Sequence, residues 1–85
     1  MIFSHIMWTV NLMVWDSEVD KERLRETAEA AFRGSLHAKN VEIEFPPAPD
    51  FFCVKLQSRD MHALEKVHLE VFPAVRSMAG VKNGE

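Results

Sequence analysis

Met7-Trp8-Thr9-Val10-Asn11-Leu12-Met13-Val14-Trp15 places Trp8, Val10, Leu12 and Val14 on one side of an extended chain and Met7, Thr9, Asn11, Met13 and Trp15 on the other. Successive side chains of a strand point to opposite faces, so this period of two reads as a strand whose first set is the core face. Phe51 to Gln57 repeats the scheme, with Phe52, Val54 and Leu56 opposed to Phe51, Cys53, Lys55 and Gln57. Val41 to Phe45 is a shorter version, setting Val41, Ile43 and Phe45 against Glu42 and Glu44. Apolar residues recur at helical spacing after two of these runs, over Asp20 to Arg33 and Asp60 to Phe72. A last alternation, Val75 to Val81, predicts a fourth strand, with a helix continuing through Met78 as the competing reading. The order βαββαβ predicts an α+β fold. It is a two-layer sandwich of an antiparallel sheet with two helices on one face, because each helix needs a sheet face on which to bury its apolar stripe.

The boundaries follow from local chemistry. Ser17 to Asp20 supply a side-chain cap for the first helix, whose stripe is Leu24, Ala28, Ala31 and Phe32. Arg33-Gly34 reads as its last turn and a left-handed stop. Ser58 or Asp60 caps the second helix, which buries Met61, Leu64, Val67 or His68, and Val71. Pro73 is expected to end it, because a proline lacks the amide hydrogen and crowds the preceding turn. Pro46-Pro47-Ala48-Pro49-Asp50 cannot pair as a strand for the same reason, and reads as a stiff connecting loop.

Composition narrows the function classes. The 85 residues make one small domain, 1–85, with residues 1–6 a dispensable lead-in if translation starts at Met7. A hydrophobic fraction of 47% marks a folded chain, and in so small a domain some of that surface is expected to be covered by a second molecule. The formal charge of −3 offers no basic stripe for nucleic acid. Met1 to Trp15 lacks a basic leader and is interrupted by Ser4, His5, Thr9 and Asn11, so neither a signal peptide nor a membrane span is expected. Cys53 is the only cysteine, which precludes an internal disulfide and a cysteine-built zinc site and makes a reducing cytoplasm the expected location.

Residues that could carry chemistry are few. His62, Glu65 and His68 share one flank of the second helix, yet a metal centre wants three or four converging ligands, and a solvated helix face accounts for them equally. Cys53, on the outer sheet face, could act as a nucleophile only beside a base that lowers its pKa, and reads as a small structural hydrophobe. Gly34, Gly80 and Gly84 are too scattered for a phosphate-binding loop. Lys21, Glu22, Arg23, Arg25, Glu26 and Glu29 alternate in sign as a solvated helix face does. No catalytic, cofactor or metal residue is assigned, and no enzyme is expected.

Phe51-Phe52-Cys53-Val54-Lys55-Leu56, then Ser58-Arg59-Asp60, then Phe72-Pro73-Ala74-Val75-Arg76, resemble the second half of the ligand-sensing domain of the leucine-responsive regulator family. There a strand, a charged turn, an amphipathic helix and a Leu-Pro-Gly-Val-like corner lead into a final strand. Ala74 stands where that corner has glycine, and the His37-Ala38-Lys39-Asn40 exit departs from the pattern. The resemblance implies a ferredoxin-like fold with the first and third strands as central neighbours. On such a sheet Met13, Trp15, Phe51, Cys53 and Met78 would gather on the face away from the helices as a partner-binding patch, a composition enriched at protein interfaces. The expected function is a non-enzymatic protein-binding or regulatory module, self-associating as a homodimer or docking on another protein as an adaptor or small inhibitor. The alternative implied by the family is a sensor of an amino-acid-like small molecule, with the ligand held between subunits.

Overall fold

In the computed structural model, which describes residues 6–15 and 19–79, the most buried element is the strand β3, Phe52–Ser58. It is the middle of a three-stranded antiparallel sheet, flanked on one side by β1 (Trp8–Val14) and on the other by β2 (Glu42–Glu44). Both neighbours run antiparallel to β3, so β1 and β2 are parallel to each other and the helix α1 (Lys21–Arg33) crosses over between them. The helix α2 (Met61–Ala79) follows β3, packing across β1 and β3 and against α1. The fold is α+β, with two helices and a three-stranded sheet.

The period-two reading of the strands fixes which face is core. Leu12 opposite Val54 and Val10 opposite Leu56 fall on the helix side, where Leu12 and Val14 join Phe52, Val54 and Leu56 in one cluster with Leu24, Ala28, Leu64, Val67, Val71 and Val75. Each helix begins on an aspartate. Asp20 accepts the amides of Glu22 and Arg23 at 3.1 and 3.3 Å, and Asp60 those of His62 and Ala63 at 3.0 and 3.2 Å, satisfying donors that have no helical partner. The buried Ser58 hydroxyl joins three segments: it accepts the Asp60 amide at 2.9 Å and donates to the Asn40 carbonyl at 2.6 Å. That pins the end of β3 to the 3-10 turn, Ala38–Asn40, that leads into β2.

Four expectations are corrected. The fourth strand does not form over Val75–Ala79, which is the last part of α2; Gly80 and Val81 lie outside the described residues. Pro73 sits inside the helix instead of ending it. An interior proline costs about 3 kcal/mol through the lost bond to the carbonyl four residues back. Against that, Val75 is fully buried, worth about 1.5–3 kcal/mol, and each further helical hydrogen bond adds about 0.5–1.5 kcal/mol. Pro73 is itself exposed, so the orphaned Leu69 carbonyl lies on the outer part of the helix. Met61 is exposed, and Ala63 takes the buried place at the start of α2. Gly34 is right-handed, at φ −81° and ψ −8°, because the chain leaves α1 through further tight turns, with Gly34 N donating to Ala30 O at 3.1 Å and Ser35 N to Phe32 O at 3.1 Å. Among the described residues, no helix is long and apolar enough to cross a membrane.

Candidate interaction surface

The sheet face turned away from the helices is divided along its length. At one end the register sets Thr9 opposite Gln57, which faces Glu42, and Asn11 opposite Lys55, which faces Glu44. Gln57 Nε2 donates to Glu42 Oε1 at 3.4 Å and Lys55 Nζ lies 3.8 Å from Glu44 Oε1, so this end is polar. At the other end Met13 faces Cys53, and one step on Trp15 stacks against Phe51 with ring centroids 4.3 Å apart and 30° between planes. Met13 keeps 48% of its surface exposed and Trp15 64%.

The proline loop borders this apolar end. Lys21 Nζ donates to the carbonyls of Ala48 and Pro49 at 2.9 and 3.1 Å, tying the loop to the first turn of α1. Arg25 lies over the Phe45 ring at 5.5 Å, and Phe45 meets Phe52 at 6.0 Å, which anchors the loop entry in the core. Cys53, Phe45, Pro46, Pro47 and Phe51 share the walls of one shallow cleft beside it. Cys53 is therefore only 7% exposed. Burial pushes its thiol pKa up, only partly countered by the Lys55 charge, so at neutral pH it is a protonated thiol and a poor nucleophile.

Of the residues assigned to a partner patch from sequence, the structure brings together Met13, Trp15, Phe51 and Cys53. Met78 does not join them. It is exposed on the last turn of α2, the layer that packs on the opposite side of the sheet. His62, Glu65 and His68 do not converge either: the His62 ring meets His37 edge-on at 6.0 Å, while His68 meets Phe72 at 5.4 Å. Among the described residues, no group of three or more His, Cys, Asp or Glu is placed to hold a metal ion.

Sequence reasoning did not identify a second feature, the outer edge of β1. A groove of about 340 Å³ runs beside it, lined by Val10, Asn11, His68, Leu69, Phe72 and Arg76. It was missed because a fourth strand was expected to cover that edge. The signal that could have revealed it is the four-residue spacing of Val67, Val71, Val75 and Ala79, which carries the helix through Pro73 and leaves no residues before Gly80 to form a strand. No family model, curated protein or solved structure matches the chain.

Proposed function

We propose that this chain is a non-enzymatic protein-binding or regulatory module acting through the open face of its sheet. The observation that carries this reading is the apolar end of that face, where Trp15 stacks on Phe51 and both Trp15 and Met13 stand largely in solvent. A tryptophan and a methionine side by side, rimmed by the Lys55–Glu44 and Gln57–Glu42 polar pairs, have the apolar centre and polar border of a docking surface. A ferredoxin-like scaffold behind it is part of this reading, and the order β1-β3-β2 with α1 crossing over supports it as far as residue 79. The partner is another copy of the chain or a different protein, and the reduced, buried Cys53 is consistent with a cytoplasmic setting.

Light scattering and circular dichroism on Trp15→Glu and Met13→Glu test the proposal. A charge placed in a desolvated contact has no partner, so association is expected to weaken while secondary structure is kept. Unfolding of both variants would show that the face is core, and unchanged association would remove it from the interface. Stabilisation of the wild type by an amino acid, about 2.7 kcal/mol at 100 times its Kd, would favour the sensor alternative.

A further inference from the structure

Among the described residues, no strand lies along the outer edge of β1. Every second amide and carbonyl of an edge strand points sideways with no strand to receive it, and soluble proteins usually shorten, charge, bulge or cover such edges. β1 does none of these. Its seven residues, Trp8-Thr9-Val10-Asn11-Leu12-Met13-Val14, contain no charge, no proline and no glycine. Above the edge, the groove against α2 exposes Leu69, whose carbonyl loses its helical donor at Pro73. The Nδ1 atom of His68, which also lines this groove, is buried without a hydrogen-bond partner among the described residues.

We propose that this edge pairs antiparallel with β1 of a second copy of the chain, joining two three-stranded sheets into one continuous sheet about a two-fold axis at Asn11. The inference rests on the reading of the chain as a protein-binding module and names the partner and the seam. The sequence of the strand selects the register. Residues directly opposite in an antiparallel pair share a face, so a two-fold arrangement must match helix-side with helix-side positions. Centring on Asn11 is the arrangement that pairs all of Trp8–Val14: Trp8 with Val14, Thr9 with Met13, Val10 with Leu12, and Asn11 with itself. One step further on each side, Met7 of one copy meets Trp15 of the other, two residues that are 43% and 64% exposed in the single chain. No like charges meet along this strand, although the chain carries a net charge of −3.

At full coverage the area is sufficient. Taking about 250 Å² for an indole side chain, Trp8 at 41% and Trp15 at 64% exposed hold together about 250 Å² per copy. With Met7, Met13, Leu69 and the strand edge added from both copies, full coverage would bring the seam to at most about 1,000 Å², the size at which contacts become specific. β2 cannot serve, because its three residues are Glu42-Ile43-Glu44, and a self-pair would oppose carboxylates.

Sedimentation equilibrium of the full chain, wild type and Asn11→Lys, tests the seam. Asn11 is exposed and lies opposite Lys55 within the chain, so circular dichroism accompanies each sample. The wild type is expected to dimerise. Asn11→Lys sets two ammonium groups across the axis and should raise the dimer Kd by about tenfold or more, and mixing it with Asn11→Asp should restore a mixed dimer. Asn11→Cys should form an interchain disulfide on oxidation, and Glu44→Cys should not. A wild type that stays monomeric at millimolar concentration overturns the proposal; dimerisation only after deletion of residues 80–85 does so too, by showing that the chain's own end fills the edge. A dimer indifferent to Asn11→Lys, not cross-linked through position 11 but broken by Trp15→Glu, overturns the seam and keeps the face reading. A dimer broken by Asn11→Lys and untouched by Phe51→Ser, a change on the sheet face outside β1, keeps the seam and removes the face.

Discussion

The two outer strands of the sheet solve the same problem in opposite ways. β2 is three residues long, carries Glu42 and Glu44 on its outer face, and runs straight into a loop with three prolines, so another chain finds little to pair with. β1 is seven residues long, uncharged and bordered by Met7 and Trp15. Both strands hydrogen-bond to the same β3, so the contrast does not come from their place in the sheet. Charge and proline thus guard β2, whereas β1 carries neither within Trp8–Val14 and has the exposed Trp8, Met13 and Trp15 on or beside it.

The largest expected effect tests whether β1 is also the better anchored of the two. Leu12 is buried in the core cluster opposite Val54, whereas Ile43, its counterpart on β2 facing Leu56, is only partly buried. Leu12→Ala should cost about 2–5 kcal/mol in urea unfolding, and Ile43→Ala about half that, since less apolar surface and a smaller cavity are involved. In a domain whose total stability is of the order of 5 kcal/mol, Leu12→Ala would leave little folded protein. Equal losses would mean that β1 is no more a core strand than β2, and its free edge would then be better explained by fraying than by pairing.

A second test addresses why the β1 edge is free. If α2 runs through Pro73 because Val71, Val75 and Ala79 bury beneath it, then Pro73→Ala restores the amide that Leu69 lacks and should stabilise the protein by about 1–3 kcal/mol. If residues 73–79 instead leave the helix and pair with β1, the proline marks a corner and its removal should destabilise. Thermal unfolding separates the two outcomes by sign.

This is also where reading the sequence succeeded and where it did not. The runs Met7 to Trp15 and Phe51 to Gln57 were legible as strands because polar residues largely alternate with apolar ones, and Leu12, Val14, Phe52, Val54 and Leu56 are buried on the predicted face; Trp8, assigned to that face as well, keeps 41% of its surface exposed at the strand's start. Asp20 and Asp60 were legible as caps because a carboxylate just before an apolar periodic run has one main local use. Beyond Pro73, Val75-Arg76-Ser77-Met78-Ala79 satisfies a strand period and a helix period alike, and the residue that breaks a tie locally, proline, favoured the wrong answer. Tertiary burial decided it, through Val67, Val71 and Val75, each fully buried. The clustering of Met13, Trp15, Phe51 and Cys53 was legible because strand parity and register bring them together, while Met78 depended on a fourth strand that does not form over Val75–Ala79. The β1 groove went unread because Pro73 outweighed the four-residue spacing of Val67, Val71, Val75 and Ala79, which keeps residues 75–79 in α2.

The smallest expected effect concerns the guarded edge. Glu44 lies 3.8 Å from Lys55, but its own side chain is 60% exposed and that of Lys55 35%, and a pair so open to solvent contributes about 0–1 kcal/mol. Glu44→Thr should therefore move the urea midpoint little, within the range of about 0.5 kcal/mol usual for surface changes. Its effect should appear instead in association. Removing a carboxylate from a short edge strand lifts the like-charge repulsion that opposes edge-to-edge contact, so the variant is expected to self-associate beyond the dimer at concentrations where the wild type does not. A large loss of stability would show that Glu44 holds the sheet together and is not a guard. No change in either stability or association would mean that shortness and the following prolines protect β2 without help from charge, leaving the uncharged β1 less distinctive than its sequence makes it.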